Sequence, residues 1–270
     1  MMGADQSLTG ILSEPCTGSD ADTKPAFIIL NAGLLHHVGQ NRMSVTLSRQ
    51  IACQGRYALR FDLSGIGDSA SRRSEHSFQE RAITEVQEAM DYLQANKGID
   101  RFVLCGLCTG ADNAFRTTIV DPRVCGVITL EGYSYQTAAY KKRKFIDKAF
   151  GLNRWKSRLS RYRGRLGKQE QTEEVIRQVD VSYHWTLPPI EQMAVSLQTL
   201  IQRKVGMLMV YVGNNSRYNY QGQFADAFSE IDFNGLLKES YYEKSDHNFS
   251  IASDRDRLCA EISDWIGNLG

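Results

Sequence analysis

The sequence predicts an α/β protein built on a mostly parallel sheet with helices on both faces. Short apolar runs of strand length recur along the chain, amphipathic segments of helix length separate most of them, and glycines mark many of the boundaries. Strand-helix-strand alternation of this kind is typical of parallel sheets, because the crossover helices cover both faces. With 270 residues, 42% of them hydrophobic, the chain is long enough for one large domain or two small ones.

The elements follow a regular order through the first half of the chain. Strands are predicted at 26–33, at the start of 57–69, at 101–106 and at 124–133, and helices at 45–55, at 77–98 and from residue 109. The last of these helices ends at Asp121-Pro122, because the residue before a proline disfavours helical geometry. The strand pattern returns at 205–213 and 238–244, around a helix at 224–231, and an amphipathic helix at 255–269 follows.

The stretch from 134 to 203 breaks the alternation. It contains no convincing strand and has the pattern of several helices interrupted at Gly164, at Gly167 and at Pro188-Pro189. We therefore predict an α/β core formed by residues 1–133 and 204–270, with a helical insertion at 134–203.

The net charge, the cysteine spacing and the apolar pattern exclude several classes of protein. The formal net charge of +1 provides no overall field for nucleic acid, and the six cysteines have spacings too irregular for a disulfide framework. The first residues lack the basic start and apolar run of a signal peptide, and no stretch reaches the roughly 18 apolar residues of a membrane span. We expect a cytoplasmic protein with reduced thiols, no membrane span, no metal site and no cofactor.

One motif carries most of the functional information. The predicted strand at 101–106 turns into a helix through Gly106-Leu107-Cys108-Thr109-Gly110, so a cysteine stands at the carboxyl end of a parallel strand. Functional groups gather at that edge of such sheets. A sharp strand-to-helix turn strains its central residue and needs small flanking residues, and the following helix dipole favours a thiolate.

Here the chain resembles an α/β hydrolase whose nucleophile elbow carries cysteine in place of serine, over roughly residues 24–133 and 205–270. Three further segments fit: "NAGLLHHVGQNR" (31–42), "RFDLSGIGDS" (60–69) and "KSDHNF" (244–249). The GLC elbow is similar to that of small hydrolases associated with exosortase systems. The resemblance implies an α/β-hydrolase fold, with the insertion at 134–203 as a helical lid. A redox reading of Cys105 and Cys108 as a CxxC pair leaves Gly110 and His247 unexplained, and no second ligand pair supports a zinc site.

The thiol needs a base, and His247 is the best placed of the five histidines because it follows the last strand. The third member of the triad is open between two residues. Glu131 ends the strand at 124–133 and is preferred, because a charged residue there must find a partner or water. Asn215 stands where the family usually places an aspartate, and asparagine orients the histidine in papain-like enzymes.

The resemblance also implies an oxyanion hole formed by the amide of Thr109 and by a second amide from Gly33 or Leu34. His37 lies in the same loop, and we expect it to contact substrate. Asp62, Gly65 and Gly67 are interpreted as structural residues that shape a neighbouring loop.

Positive charge concentrates in the predicted insertion, where residues 141–168 hold twelve lysines and arginines and one acid, Asp147. The pattern fits either a solvated helical face or a docking surface for an acidic partner. Acyl carrier proteins are acidic, and both they and coenzyme A present phosphate near the thioester. We expect an acyl thioester donor of this kind, and neither nucleic acid nor membrane explains the elbow.

These features together predict acyl transfer: Cys108 attacks a thioester or ester, His247 moves the proton, and Glu131 holds the histidine. The acceptor is expected to be a specialised metabolite, a lipid or a glycan. A thioesterase or esterase that hydrolyses the same acyl-enzyme is the near alternative, and a non-catalytic binding module with a decayed site is the distant one.

Overall fold

The computed structural model of the chain describes residues 1–3, 5–16, 24–73, 75–146 and 186–269. Within these ranges, seven strands form one sheet: β1 (Gly10–Ser13), β2 (Ala26–Ile29), β3 (Ala58–Phe61), β4 (Phe102–Leu107), β5 (Val124–Leu130), β6 (Gly206–Val212) and β7 (Leu237–Tyr242). The helices are α1 (Met43–Cys53), α2 (Phe78–Lys97), α3 (Thr109–Val120), α4 (138–146), α5 (Ile190–Gln202), α6 (Gln223–Ala227) and α7 (Ala252–Gly267).

The strands lie in the order β1-β3-β2-β4-β5-β6-β7, and every neighbouring pair is parallel except β1 with β3. This is the α/β-hydrolase fold, as the sequence predicted. Strand β1 was not predicted from the sequence. Its four residues are only partly buried at the sheet edge, so they lack the apolar run that marks the central strands.

Alternating side chains of the central strands divide the core into two layers. Ile28 and Leu104 face the layer that α2, α3 and α5 cover, and Phe27 and Val103 face the layer under α1 and α7. Side chains along a strand point alternately to opposite faces, so strands buried on both faces form continuous apolar runs. These are the runs from which the strands were predicted.

The helix α5 belongs to the core and not to a separate insertion. It connects β5 to the parallel strand β6, and Met193, Leu197 and Leu200 pack into the layer with α2 and α3. Parallel neighbours require such a crossover. The domain boundary predicted at residue 203 was therefore too late, because these apolar positions were attributed to the insertion. Residues 147–185 of that insertion lie outside the described ranges.

Local signals explain where the long helix α2 begins and ends. The Ser77 hydroxyl and the Glu80 carboxylate form a reciprocal capping box at its first turn, and Gly98 ends it with φ of 69°. None of the helices in the described part of the chain has the length and apolar character that crossing a membrane requires.

Candidate active site

Cys108 stands at the corner between β4 and α3, in a conformation that few non-glycine residues adopt. Its φ is 56° and its ψ is −114°. The backbone N–H of Cys108 donates to the carbonyl of Leu130 on β5 at 2.9 Å, so the corner remains attached to the sheet while the chain reverses. Thr109 then begins α3 directly. The thiol therefore lies at the amino terminus of a twelve-residue helix, where the dipole favours negative charge.

The two flanking glycines are required by close backbone packing. A Cβ on Gly106 would lie 2.1 Å from the carbonyl carbon of Gly110, and a Cβ on Gly110 would lie 2.4 Å from the carbonyl oxygen of Asn31. Both distances are shorter than any van der Waals contact allows. The G-x-C-x-G pattern thus brings α3, β4 and the loop after β2 together around the thiol.

A tight turn after β7 positions His247. The carboxylate of Asp246 accepts hydrogen bonds from the backbone N–H groups of Asn248 and Ser250, both at 3.0 Å. The carboxylate of Asp246 therefore stabilises the turn through these two hydrogen bonds. The imidazole of His247 is left to face the strand ends. This explains why the acid next to the histidine in sequence is not its partner.

The imidazole of His247 lies between the thiol and a buried carboxylate. Its Nδ1 atom is 3.4 Å from Oε2 of Glu131, whose side chain is 5% exposed. Hydrogen bonding to Cys108, and then to Glu131, raises the pKa of His247 to about 10, against the opposing effect of burial. A protonated imidazole at neutral pH is a suitable counter-ion for a thiolate.

Glu131 also accepts two other hydrogen bonds, which fix its carboxylate. Oε1 accepts the backbone N–H of Val212 at 2.7 Å, and Oε2 accepts the amide of Asn215 at 3.0 Å. The amide oxygen of Asn215 in turn accepts the backbone N–H of Arg217 at 2.8 Å. Glu131 and Asn215, predicted as alternatives for the third position, are therefore both present: Glu131 contacts His247, and Asn215 contacts Glu131. This second contact joins residues 84 positions apart and could not be predicted from the sequence.

Cys108, Glu131 and His247 line an open cleft of about 360 Å³. The remainder of its lining is polar or glycine, and consists of Gly132, Ser134, Asn214, Asn215, Ser216 and Arg217. Most of these residues come from the loop after β6, which replaces the aspartate-bearing loop expected from the family. A polar wall of this kind suits a hydroxylated or charged group better than a long alkyl chain.

Buried contacts anchor the loop after β6. The hydroxyl of Tyr140 on α4 donates to the carbonyl of Ser216 at 2.5 Å. Tyr218 is fully buried and its hydroxyl bonds to Glu239 of β7, which also accepts the backbone N–H groups of Phe224 and Ala225 in α6. The loop that supports Asn215 is thus held from both sides of the cleft.

The predicted oxyanion residues lie together next to the thiol. The N–H of Thr109 is the first of α3, where helical N–H groups have no partner within the helix. The N–H of Gly33 donates to the side-chain hydroxyl of Thr109 at 2.7 Å, with Gly33 at φ of 57°. Leu34 is 69% exposed. The hydroxyl of Thr109, which the sequence analysis had not singled out, therefore connects the two predicted amide donors.

The structure does not support the predicted substrate contact of His37. Both its backbone N–H and its ring Nδ1 bond to the fully buried carboxylate of Asp62, at 2.6 and 2.7 Å. The same carboxylate accepts hydrogen bonds from the side chain of Asn31 and the backbone of Asp68. His37 is itself buried and is not among the residues lining the cleft. It fastens the loop after β2 to Asp62, which has the structural role predicted for it.

The hydrogen bonds of Asp62 also account for the one grouping of metal-type ligands in the described ranges, which comprises His37, Asp62 and Asp68. Each oxygen of Asp62 already accepts two hydrogen bonds. The cluster is therefore explained as a loop clamp.

Cys105 is not a redox partner for Cys108. It is 2% exposed on β4, within the apolar layer under α1 and α7, and burial raises its pKa far above the usual range for a thiol. A buried, protonated thiol is inert toward exchange.

The described part of the basic segment lies close to the cleft. Its basic residues Lys141, Lys142, Arg143 and Lys144 on α4 are all exposed. Lys144 approaches the hydroxyl of Tyr140 at 3.0 Å, and Arg143 lies 4.8 Å above the ring of Tyr220. Tyr140 also contacts Ser216, which lines the cleft, so the ammonium group of Lys144 lies near the cleft rim. The rest of the segment, from residue 147, lies outside the described residues.

Comparison with known proteins supports the fold. No protein-family model matches the chain, and no curated protein matches its sequence. Among solved structures, an α/β serine hydrolase homologue from Coxiella burnetii is 14% identical, with a TM-score of 0.58 over 100% of this chain and 96% of that one. A monoacylglycerol lipase from Paleococcus ferrophilus is 13% identical, with a TM-score of 0.57 over 97% and 99% of the two chains.

A third similar structure is Est1E from Butyrivibrio proteoclasticus with ferulic acid bound. It is 15% identical, with a TM-score of 0.56 over 97% of this chain and 95% of that one. Likeness at these identities establishes the α/β-hydrolase fold alone. The nucleophile and the substrate have to be argued from the residues of this chain.

Proposed function

We propose that this protein is an acyltransferase that carries its acyl group as a thioester on Cys108. The observation that carries the proposal is a thiol at a strained corner that lines the same cleft as an imidazole, whose Nδ1 lies 3.4 Å from a buried carboxylate. This is the arrangement of nucleophile, base and orienting group that covalent acyl transfer needs. The assignment of Cys108, His247 and Glu131 as the triad is part of the proposal.

The chemistry proceeds through two tetrahedral intermediates. The Cys108 thiol passes its proton to His247 and its sulfur attacks the donor carbonyl, while the N–H of Thr109 and a second amide stabilise the negative oxygen. The carbon–sulfur or carbon–oxygen bond to the leaving group breaks as His247 gives that group its proton. The acceptor then attacks the thioester carbonyl, His247 takes the acceptor's proton, and the Cys108 thiolate departs.

Glu131 and Asn215 have supporting roles in this scheme. Glu131 keeps Nδ1 of His247 directed away from the thiol and stabilises the imidazolium, leaving the other ring nitrogen to exchange protons. Asn215 holds the carboxylate through the bond to Oε2. The carboxylate follows β5 and the histidine follows β7, on either side of β6 at the same edge of the sheet, so the loops at these strand ends maintain the alignment.

The cysteine itself supports transfer over hydrolysis. A serine suffices for ester hydrolysis, whereas a thioester reacts readily with thiols and amines and is comparatively resistant to water. The polar residues that line the cleft favour a specialised metabolite, glycan or polar lipid headgroup as the acceptor.

A thioesterase or esterase is the second candidate. The proteins of similar fold include a lipase and a serine hydrolase homologue, and the cleft of this chain is open to solvent. Water is then the acceptor for the same acyl-enzyme. A binding module with a decayed site is less well supported, because Cys108, His247 and Glu131 retain mutual contacts.

The basic residues of α4 support a donor that carries phosphate. Exposed ammonium and guanidinium groups at the rim of the cleft suit the phosphates of coenzyme A or the acidic surface of an acyl carrier protein. We therefore propose an acyl thioester of one of these carriers as the donor.

The test is intact-protein mass spectrometry after incubation with acyl-coenzyme A thioesters of short polar and long alkyl chains. We expect one acyl group per chain, localised to Cys108 and absent in Cys108→Ala. Cys125→Ala is the matched control, because Cys125 is a half-buried thiol outside the cleft. Adding an amine or thiol acceptor separates transfer from hydrolysis by the product formed. If no acyl-Cys108 forms, or if Cys108→Ala keeps full turnover, both candidate functions are wrong.

A further inference from the structure

Two thiols outside the active site lie close enough to react with each other. The sulfur atoms of Cys16 and Cys53 are 3.2 Å apart, and both residues are exposed. Neither residue belongs to the cleft or touches the proposed catalytic groups. The remaining thiols of the chain, apart from Cys108, are buried or half-buried in the sheet and in α7.

The backbone holds this pair together independently of the two side chains. The N–H of Cys16 donates to the carbonyl of Ala52, the residue before Cys53, at 3.1 Å. On the other side of residues 17–23, the ammonium group of Lys24 approaches the carbonyl of Gln54 at 3.3 Å. The chain that carries Cys16 is therefore attached to the carboxyl-terminal end of α1, where Cys53 is the last helical residue.

The surroundings of Cys53 admit a small reagent. A shallow, open hollow of about 390 Å³ lies next to it, lined by Arg49, Gln50, Cys53, Gln54, Ala260 and Ser263. Arg49 is exposed at this hollow and offers a positive charge to a carboxylate. An anionic disulfide of tripeptide size, of which oxidised glutathione is an example, has the charge that this surface favours.

We propose that Cys16 and Cys53 form a thiol–disulfide exchange site that takes up a reversible intramolecular disulfide from a low-molecular-weight disulfide. One protein thiolate attacks a sulfur of oxidised glutathione, the glutathione disulfide bond breaks, and one glutathione thiolate leaves. The second protein thiolate attacks the resulting mixed disulfide and releases the other glutathione. Both protein thiol protons end on the two glutathione molecules, so the chain is oxidised by two electrons and the reagent is reduced.

The disulfide would join the segment after β1 to the end of α1 and enclose residues 17–52, which include β2 and the loop that carries Gly33. A covalent link across a segment of this length restricts the unfolded chain and stabilises the native state. The pair therefore differs in role from Cys108: it is a modification site that fastens the edge of the fold, and it functions whether or not the proposed acyl transfer is correct.

The experiment incubates the native full-length protein with oxidised glutathione and maps the products by peptide mass spectrometry. The neighbouring Cys53 thiol raises the pKa of Cys16, so the incubation is run at about pH 8, where thiolates form more readily. We expect a linked peptide pair containing Cys16 and Cys53, the loss of two titratable thiols in Cys108→Ala, where the proposed nucleophile cannot react, and full reversal by dithiothreitol. The melting temperature should rise by several degrees on oxidation.

Single substitutions provide the controls. In Cys16→Ser and in Cys53→Ser, the remaining thiol should retain glutathione as a stable mixed disulfide, and the rise in melting temperature should disappear. Cys108→Ala should still form the link, which separates this proposal from the catalytic one. If the native protein carries glutathione on both thiols without a link, or links either of them to Cys108, the proposal is overturned.

Discussion

Replacing Glu131 by glutamine tests the triad with little change in shape. The glutamine oxygen still accepts the N–H of Val212, so the strand end is preserved. Its amide group, however, faces the amide of Asn215 and Nδ1 of His247, which are both donors toward this position. Asn215 cannot rotate its amide without losing the bond to the N–H of Arg217. The variant therefore removes a negative charge and leaves donors facing one another.

The magnitude follows from the distance between the charges. At 3.4 Å, a unit pair contributes about 5 kcal/mol at an effective dielectric constant of ~20 and about 1 kcal/mol in bulk water. Because the side chain of His247 is 42% exposed, solvent screens the pair, and about 1–3 kcal/mol is appropriate. A loss of this size in the stabilisation of the imidazolium corresponds to an acylation rate about 10- to 100-fold lower at alkaline pH, where Glu131→Gln no longer keeps His247 protonated.

The assay is the single-turnover acylation rate of Cys108 with a chromogenic acyl ester, measured from acidic to alkaline pH. Loss of Glu131 should also lower the pKa of His247 and move the alkaline limb of the profile to lower pH. Glu243→Gln, at an exposed carboxylate just after β7, is the matched control and should behave as wild type. An unchanged rate and an unchanged alkaline limb in Glu131→Gln would refute the role given to this carboxylate.

Three further predictions concern the same corner. Because the pKa of His247 is raised to about 10, its protonated form persists through neutral pH. A thiolate–imidazolium enzyme should therefore keep its acylation rate up to about pH 10 and lose it above that pH. A rate that instead rises toward pH 10 would mean that neutral His247 is the active form. Thr109→Val removes the acceptor of the Gly33 N–H and should lower kcat about 10-fold with little change in KM, whereas Thr109→Ser should restore most of it. The free energy of unfolding of Cys108→Gly, measured by denaturant titration, should be about 1 kcal/mol higher than that of Cys108→Ala, because only glycine is relaxed at this φ and ψ. The opposite order would show that the corner is not strained.

The sequence predicted those features whose signals are local. Continuous apolar runs marked the buried strands, and the spacing of Gly106 and Gly110 around Cys108 marked the corner, because both glycines lie within five residues of one another in the sequence. His247 and Glu131 were predicted from their positions after strands. In a parallel sheet, strand ends meet at one edge, so such positions converge without further information.

Features that depend on side chains meeting across long sequence separations were not predicted. Asn215 bonds to a carboxylate 84 positions away, and His37 faces Asp62 rather than the cleft. An asparagine in a loop or a histidine beside another histidine gives no sign of its partner. The core position of α5 was missed for a related reason, because its apolar spacing is the same for a helix in a lid and for a helix on the sheet.

Two residues of the candidate site have a strained backbone conformation, and this strain supports a functional role. Cys108 and Glu131 end the neighbouring strands β4 and β5, and each has a φ of 56°, a region that costs a non-glycine residue of order 1–3 kcal/mol. Both remain bonded to the sheet, Cys108 to the carbonyl of Leu130 and Glu131 to that of Val210. Glycine at either position would let the chain turn without strain, as far as the turn alone is concerned. The chain instead places a thiol and a carboxylate at two adjacent strained corners, both directed at one imidazole. The chemistry that these groups allow explains this arrangement better than the folding of the loops does.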